Sequence, residues 1–69
     1  MTLGQENLNK YFEDNPRVRQ KHFAVFIPCV DSYISELRAG KKVASMRIAK
    51  RIAWLTEGAV KIADWAEEV

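Results

Sequence analysis

The sequence predicts an all-α domain of four to five short helices, and three observations support this class. Apolar residues recur three and four positions apart in separate stretches of the 69-residue chain, which is the spacing that gives a helix one buried face. Residues that start and stop helices lie between those stretches. Residues 20–40 have the pattern of two short helices joined by a tight turn. Because no linker or repeat interrupts the chain, we expect one domain over residues 1–69.

The first helix is predicted from a single apolar stripe. Leu8, Tyr11 and Phe12 lie three and one positions apart, so they would share one face of a helix of about ten residues. Residues 1–5 precede this stripe, and we expect them to form a frayed start.

The second helix is expected to run from about Pro16 to Ile27. Asn15 is a good N-cap, and proline suits the first helical position that follows it. Phe23 and Ile27 are four positions apart and therefore share a face. Pro28 disfavours the helical conformation at the residue before it, so the helix should close at Ile27.

The third helix is predicted at residues 31–39, after a short turn. Asp31 can cap it by accepting a backbone N–H. Ile34 and Leu37 are three positions apart and define its buried face. Gly40 suits the left-handed conformation that commonly closes a helix.

The fourth helix is predicted to be amphipathic. Ser45 is expected to cap it, and it should run to about Thr56 and stop at Gly58. Its apolar face carries Ile48, Ile52 and Leu55, with Ala49 and Ala53 beside them. Its opposite face carries Arg47, Lys50 and Arg51.

Two alternatives are open for the segment after the fourth helix. Residues 64–66 could form a final helical turn, or Val60 and Ile62 could form a short extended piece. The two tryptophans are each interpreted as either core residues or dimer contacts. Trp65 is favoured for a dimer contact, whereas Trp54 lies between the apolar and basic faces of its helix and is expected to be partly exposed.

Charge is distributed unevenly along the chain. The whole sequence has a net charge of +2. Residues 17–51 carry a net charge of +7, whereas residues 1–16 carry −2 and residues 52–69 carry −3. A basic middle with acidic ends favours a polyanionic partner, and the alternative is an ordinary solvated surface.

The central stretch also has a definite order of residue types. A glutamine comes first, followed by an aromatic residue with an alanine, a group of three residues, two separate apolar residues and a glycine. In chain order these are Gln20, Phe23-Ala24, Ile27-Pro28-Cys29, Ile34, Leu37 and Gly40. This order resembles the DNA-binding helix-turn-helix of the Cro and lambda-repressor superfamily, here at about residues 17–39. In that family the alanine is small because the next helix crosses close above it, and Ala24 fits this need. Pro28 stands where the family usually has glycine, and since proline cannot take a positive φ, the turn is expected to be built differently here.

The resemblance implies a lambda-repressor-like fold and a set of residues that contact DNA. In the family the third helix enters the major groove, which assigns base contacts to Asp31, Ser32, Tyr33, Ser35, Glu36 and, further along, Arg38. A second set would contact backbone phosphates and fix the register, namely Gln20 with Arg19 and Lys21 beside it, and Lys41 and Lys42 in the loop after the third helix. The alternatives are that Asp31 only caps its helix, that Glu36 is only solvated, and that each lysine is an ordinary surface residue.

Other kinds of site are not indicated by the sequence. His22 is the only histidine and has no second ligand at metal-binding spacing, so we expect no metal and no cofactor. Cys29 is interpreted as a small core residue rather than a redox switch. No pair of base and nucleophile and no glycine-rich phosphate loop is present, so we expect no enzyme. No apolar run approaches the ~18 residues of a membrane span, and a single cysteine cannot form an internal disulfide, which together predict a cytoplasmic protein.

The sequence therefore predicts a sequence-specific transcriptional repressor of the Cro type, from a phage, a prophage or a bacterial operon. Its expected partner is a double-stranded DNA operator, bound by a homodimer. Two alternatives stay open. One is an antitoxin that also neutralises a toxin partner. An acidic tail would favour this alternative, and here that tail is only residues 64–69. The other is a helical protein-interaction module without DNA binding, which the acids at positions 31 and 36 permit.

Overall fold

The computed structural model describes residues 2–27 and 31–66, apart from the side chains of Ala24 and Asp31. These ranges contain four α-helices and a short 3-10 helix, η1. The elements are α1 (Leu3–Asp14), α2 (Gln20–Phe26), α3 (Asp31–Ala39), α4 (Met46–Leu55) and η1 (Ile62–Ala66). The predicted all-α class is confirmed. No helix in the described ranges has the length and apolar character needed to cross a membrane.

The start of α1 is ordered, which makes the predicted fraying wrong over residues 2–5. The Thr2 hydroxyl accepts a hydrogen bond from the backbone N–H of Gln5 at 3.1 Å, so Thr2 caps the helix. Gly4 packs so closely against the ring of Trp65 that a Cβ on the glycine would overlap the indole. The cap and this close packing hold the first turn in place.

The predicted start of α2 near Pro16 is also wrong. Asn15, which was expected to cap α2, instead ends α1, because its backbone N–H and its side-chain amide both donate to the carbonyl of Tyr11, at 3.0 and 2.8 Å. α2 begins only at Gln20. An asparagine followed by a proline can end one helix or begin the next. Here Asn15 ends α1, because its donors bond to a carbonyl of that helix.

The core is formed where the apolar faces of the helices meet. Every apolar position predicted for the buried faces of α2, α3 and α4 that the structure describes is buried or half-buried. The side chains with almost no exposed surface are Leu8, Ile27, Ile34, Leu37, Ile52 and Val60. Three aromatic rings, from Tyr11, Phe12 and Phe23, pack together at one end of this core with centroids 5.1 to 6.1 Å apart.

The predicted ends of α3 and α4 are confirmed. Gly40 has a φ of 80°, which is the left-handed conformation expected after α3. The Ser45 hydroxyl accepts from the backbone N–H of Ile48 at 3.4 Å and caps α4. After α4, Glu57 and Gly58 take φ values of 54° and 86° and reverse the chain.

The segment after α4 takes the helical alternative. Residues 62–66 form η1, and Val60 is buried rather than paired in an extended piece. The carboxylate of Asp64 holds this turn by accepting from the N–H of Lys61 and from the side-chain amide of Asn7, both at 2.9 Å. Trp65 is 4% exposed, so it is a core residue, and its interpretation as a dimer contact is contradicted.

Three sequence-based expectations lie outside the described part of the chain. These are the turn at residues 28–30 with Cys29, the packing of the Ala24 side chain beneath the third helix, and the capping or DNA-contacting role of the Asp31 side chain.

Candidate nucleic-acid interface

The pairing of α2 with α3 decides which side of α3 faces outward. Phe23 of α2, Ile27 directly after α2, and Ile34 and Leu37 of α3 are all buried. Because side chains three and four positions apart share a helix face, burying residues 34 and 37 turns the opposite side of α3 to solvent.

That opposite side is small and uncharged among the residues whose side chains are described. Ser32, Ser35 and Ala39 are exposed and lie together, and we call them the α3 outer face. Tyr33 and Glu36 border it and are half-buried. Short side chains allow a helix backbone to approach another surface closely, and serine hydroxyls can donate or accept hydrogen bonds at a base edge.

Two of the predicted contact residues are paired with each other. Glu36 forms an ion pair with Lys42, with an N–O distance of 3.1 Å. The ammonium group of Lys42 also lies 5.5 Å from the centroid of the Tyr33 ring. An exposed pair of this kind contributes less than about 1 kcal/mol to stability, but it neutralises the acid that would otherwise repel a phosphate.

The side chain of Arg38 is directed into the protein instead of toward a ligand. Its Nε donates to the side-chain oxygen of Asn9, and one terminal nitrogen donates to the side-chain oxygen of Gln20, both at 2.8 Å. Its guanidinium carbon lies 4.6 Å from the centroid of the Phe12 ring. We therefore assign Arg38 to the positioning of α3, in place of the direct DNA contact predicted for it.

The backbone of Arg38 strengthens the same connection. Its carbonyl accepts hydrogen bonds from the side-chain amides of Gln5 and Asn9, each at 3.0 Å. The carbonyls in the last turn of a helix have no partner within the helix, so α1 supplies donors to the end of α3. One residue thus ties α3 to both α1 and α2.

Gln20, the predicted phosphate contact, is connected to this network. Its side-chain oxygen accepts from Arg38, which directs its amide N–H groups away from the arginine. Those N–H groups are donors, as a phosphate contact requires. The predicted role of Gln20 is therefore compatible with its position, and it stays a prediction.

The remaining predicted cations lie near the point where α2 begins and α3 ends. Arg19 and Lys21 flank Gln20, Lys41 and Lys42 follow α3 in the chain, and all four are exposed. The bond between Gln20 and Arg38 joins these two parts of the structure. Exposed positive charge is therefore present both at the start of α2 and in the loop that follows α3.

The start of α2 contains a contact that sequence reasoning missed. Nδ1 of His22 accepts from the backbone N–H of Arg19 at 3.2 Å, and the carbonyl of Arg19 accepts from the N–H of His22 at 2.9 Å. The first of these bonds is one half of a capping box, with histidine in place of the usual glutamate or glutamine, and the other half is missing because the Arg19 guanidinium cannot accept a hydrogen bond. A polar side chain three residues after the cap is the signal that could have located the true start of α2.

In residues 2–27 and 31–66 no group of three or more His, Cys, Asp or Glu side chains could hold a metal ion. Comparisons of the chain with protein-family models, with curated proteins and with solved structures found no match. The geometry of the residues themselves is therefore the basis for a functional proposal.

Proposed function

We propose that this chain is a sequence-specific DNA-binding protein that represses transcription, with α3 placed in the major groove of a double-stranded operator. It would act in the cytoplasm of a bacterial or phage-infected cell. The observation that carries the proposal is the combination of an uncharged, hydroxyl-bearing α3 outer face with exposed cations at its end.

The two parts of this surface suit different parts of a duplex. Ser32 and Ser35 are exposed on the same side of α3, and short hydroxyl side chains suit base edges in a groove. Arg19, Lys21 and Lys41 have the length and charge for contacts with phosphates, which fix register without reading sequence. Arg38 supports both functions by holding α3 against α1 and α2.

A homodimer is part of the proposal. A chain of 69 residues offers one short reading helix, and two such helices related by a two-fold axis would contact half-sites about 34 Å apart. The operator would then be a near-palindrome, and binding would depend steeply on salt concentration.

The test is a selection from a library of duplexes with a randomised core. We expect enrichment of a two-fold symmetric sequence, followed by a Kd for that sequence that rises with salt. Ser35→Glu should abolish the enrichment, because a carboxylate on the α3 outer face would repel phosphates. Ala63→Glu adds the same charge at an exposed position of η1 and is the matched control, which should bind like the parent.

Two results would contradict the proposal. Equal binding of all duplexes would leave only non-specific attraction between the cations and phosphates. Equal loss of binding in Ser35→Glu and Ala63→Glu would show that total charge, and not α3, determines binding. An antitoxin would pass the same DNA test and differ by also binding a toxin, whereas an interaction module would bind no duplex.

A further inference from the structure

α4 has an exposed face that DNA binding through α3 does not use. Met46, Lys50 and Trp54 are spaced four positions apart and form one row, and Arg47 and Arg51 form the row beside it. All five are exposed, with Met46 at 68% and Trp54 at 70%. It is unusual for a tryptophan to be exposed to this extent, because burial of its large apolar ring is favourable.

α2 extends this face on one side. Phe26 is half exposed, and its ring meets the Trp54 ring edge-on with centroids 6.0 Å apart. One terminal nitrogen of Arg51 donates to the carbonyl of Phe26 at 3.0 Å, which fixes the two helices together at this point. Val25, next to Phe26 in the chain, is 78% exposed. We call this surface the α2–α4 patch; its residues are Val25, Phe26, Met46, Arg47, Lys50, Arg51 and Trp54.

The composition of the α2–α4 patch indicates what could cover it. Aromatic residues and arginine are the types that contribute most to protein interfaces. Among the acidic side chains that the structure describes, none forms an ion pair with Arg47, Lys50 or Arg51. The ligand should therefore bring both apolar groups and negative charge.

Two other ligands fit this surface less well. A second copy related by a two-fold axis would place these cations against the same cations, and like charges across an interface are unfavourable. A single-stranded nucleic acid would stack bases on aromatic rings, but Val25 and Met46 are aliphatic and offer no ring for stacking. An acidic protein segment satisfies both the apolar and the basic residues.

We propose that the α2–α4 patch binds an acidic amphipathic helix of a partner protein. Met46 and Trp54 lie two helical turns apart, about 12 Å, which matches apolar side chains at two positions of a short helix. Carboxylates beside those positions would pair with Arg47 and Lys50. In the described part of the chain α4 packs against α2 and η1 and makes no contact with α3. The α4 residues of the patch therefore lie apart from the α3 outer face, and the inference does not depend on DNA binding.

A selection of peptides from a displayed random library against the intact chain, without DNA, tests this proposal. We expect enriched peptides that are acidic and have apolar residues three and four positions apart. Their affinity should fall at least tenfold in Trp54→Ser and in Lys50→Glu. Lys10→Glu and Ile62→Ser are matched controls at exposed positions of α1 and η1 and should leave the affinity unchanged. Circular dichroism of each variant checks that the helices are retained.

Each alternative ligand gives a distinct result that would overturn the proposal. A chain that sediments as a dimer, and as a monomer after Trp54→Ser, would show that a second copy covers the patch. Binding of oligothymidine that depends on Trp54 and excludes the selected peptides would assign the patch to single-stranded nucleic acid. The proposal would also be rejected if no selected peptide bound more weakly to the Trp54→Ser variant than to the parent chain.

Discussion

α3 and α4 are helices of similar length whose solvent-exposed sides differ in chemical character. Each buries one apolar side, through Ile34 and Leu37 in α3 and through Ile48 and Ile52 in α4. Outward, α3 presents two serines and an alanine, whereas α4 presents arginines, a lysine, a methionine and a tryptophan. The buried sides determine the fold, and the outward sides determine what each helix can bind.

The two helices also differ in the balance between apolar packing and hydrogen bonds that holds them in place. α4 is strongly amphipathic, and the buried side chains of Ile48, Ala49 and Ile52 anchor it by apolar packing. α3 has fewer buried apolar residues, and hydrogen bonds join its Arg38 to Asn9 of α1 and Gln20 of α2. A helix positioned by hydrogen bonds has a defined orientation, which suits a helix whose proposed function depends on alignment with base edges.

The largest expected effect is a difference in stability between alanine substitutions at the two glycines that follow α3 and α4. Gly40 and Gly58 both have positive φ, so alanine is strained at either site by about 1–2 kcal/mol. At Gly40 the new Cβ would also lie 2.9 Å from the side-chain amide of Gln5, whereas nothing lies within 4 Å at Gly58. Gly40→Ala should therefore lower the free energy of unfolding by about 3 kcal/mol. Equal costs for the two variants in urea denaturation would show that α1 does not hold the end of α3 closely.

The next effect concerns the network that positions α3. Arg38→Ala removes two hydrogen bonds and the contact with Phe12, and the expected loss of unfolding free energy is about 2 kcal/mol. Arg17→Ala, at an exposed site before α2, is the control and should change it by less than about 0.5 kcal/mol. A double-mutant cycle with Asn9→Ala measures the coupling directly. Additive losses for residues 9 and 38 would contradict the network.

The smallest effect should be stabilising. Glu57 has a φ of 54° after α4, at the position where helices usually have glycine. Glu57→Gly relieves this strain, and we expect a gain of up to about 1 kcal/mol. Thermal denaturation with Glu57→Ala as the reference tests it, since alanine keeps the strain. A loss of stability in Glu57→Gly would indicate that the glutamate side chain stabilises the fold by more than the strain of its positive φ destabilises it.

Much of this fold could be predicted from the sequence because its signals are local. The apolar spacing located α1, α3 and α4, and Ser45 and Gly40 marked two helix ends correctly. The start of α2 was missed because Asn15 and Pro16 are equally suited to ending one helix and starting the next.

The candidate site was harder to predict because its contacts join distant residues. The interactions of Arg38 involve residues 5, 9, 12 and 20, and no spacing rule connects these positions. For the same reason the exposure of Phe26 could not be predicted, since its place in an apolar stretch resembles that of a core residue. Local patterns predict helices, whereas the surfaces between helices depend on how those helices pack.

The most direct test of the proposed DNA reading by α3 compares serine and lysine variants on one operator. Binding of Ser32→Ala, Ser35→Ala and Lys41→Ala is measured against single-base operator variants at two salt concentrations. The serine variants should change base preference at one position by about 1–3 kcal/mol and leave the salt dependence unaltered. Lys41→Ala should weaken every sequence alike and reduce the salt slope by about one unit. If the serine and lysine variants gave the same pattern, α3 would not be reading bases in the groove.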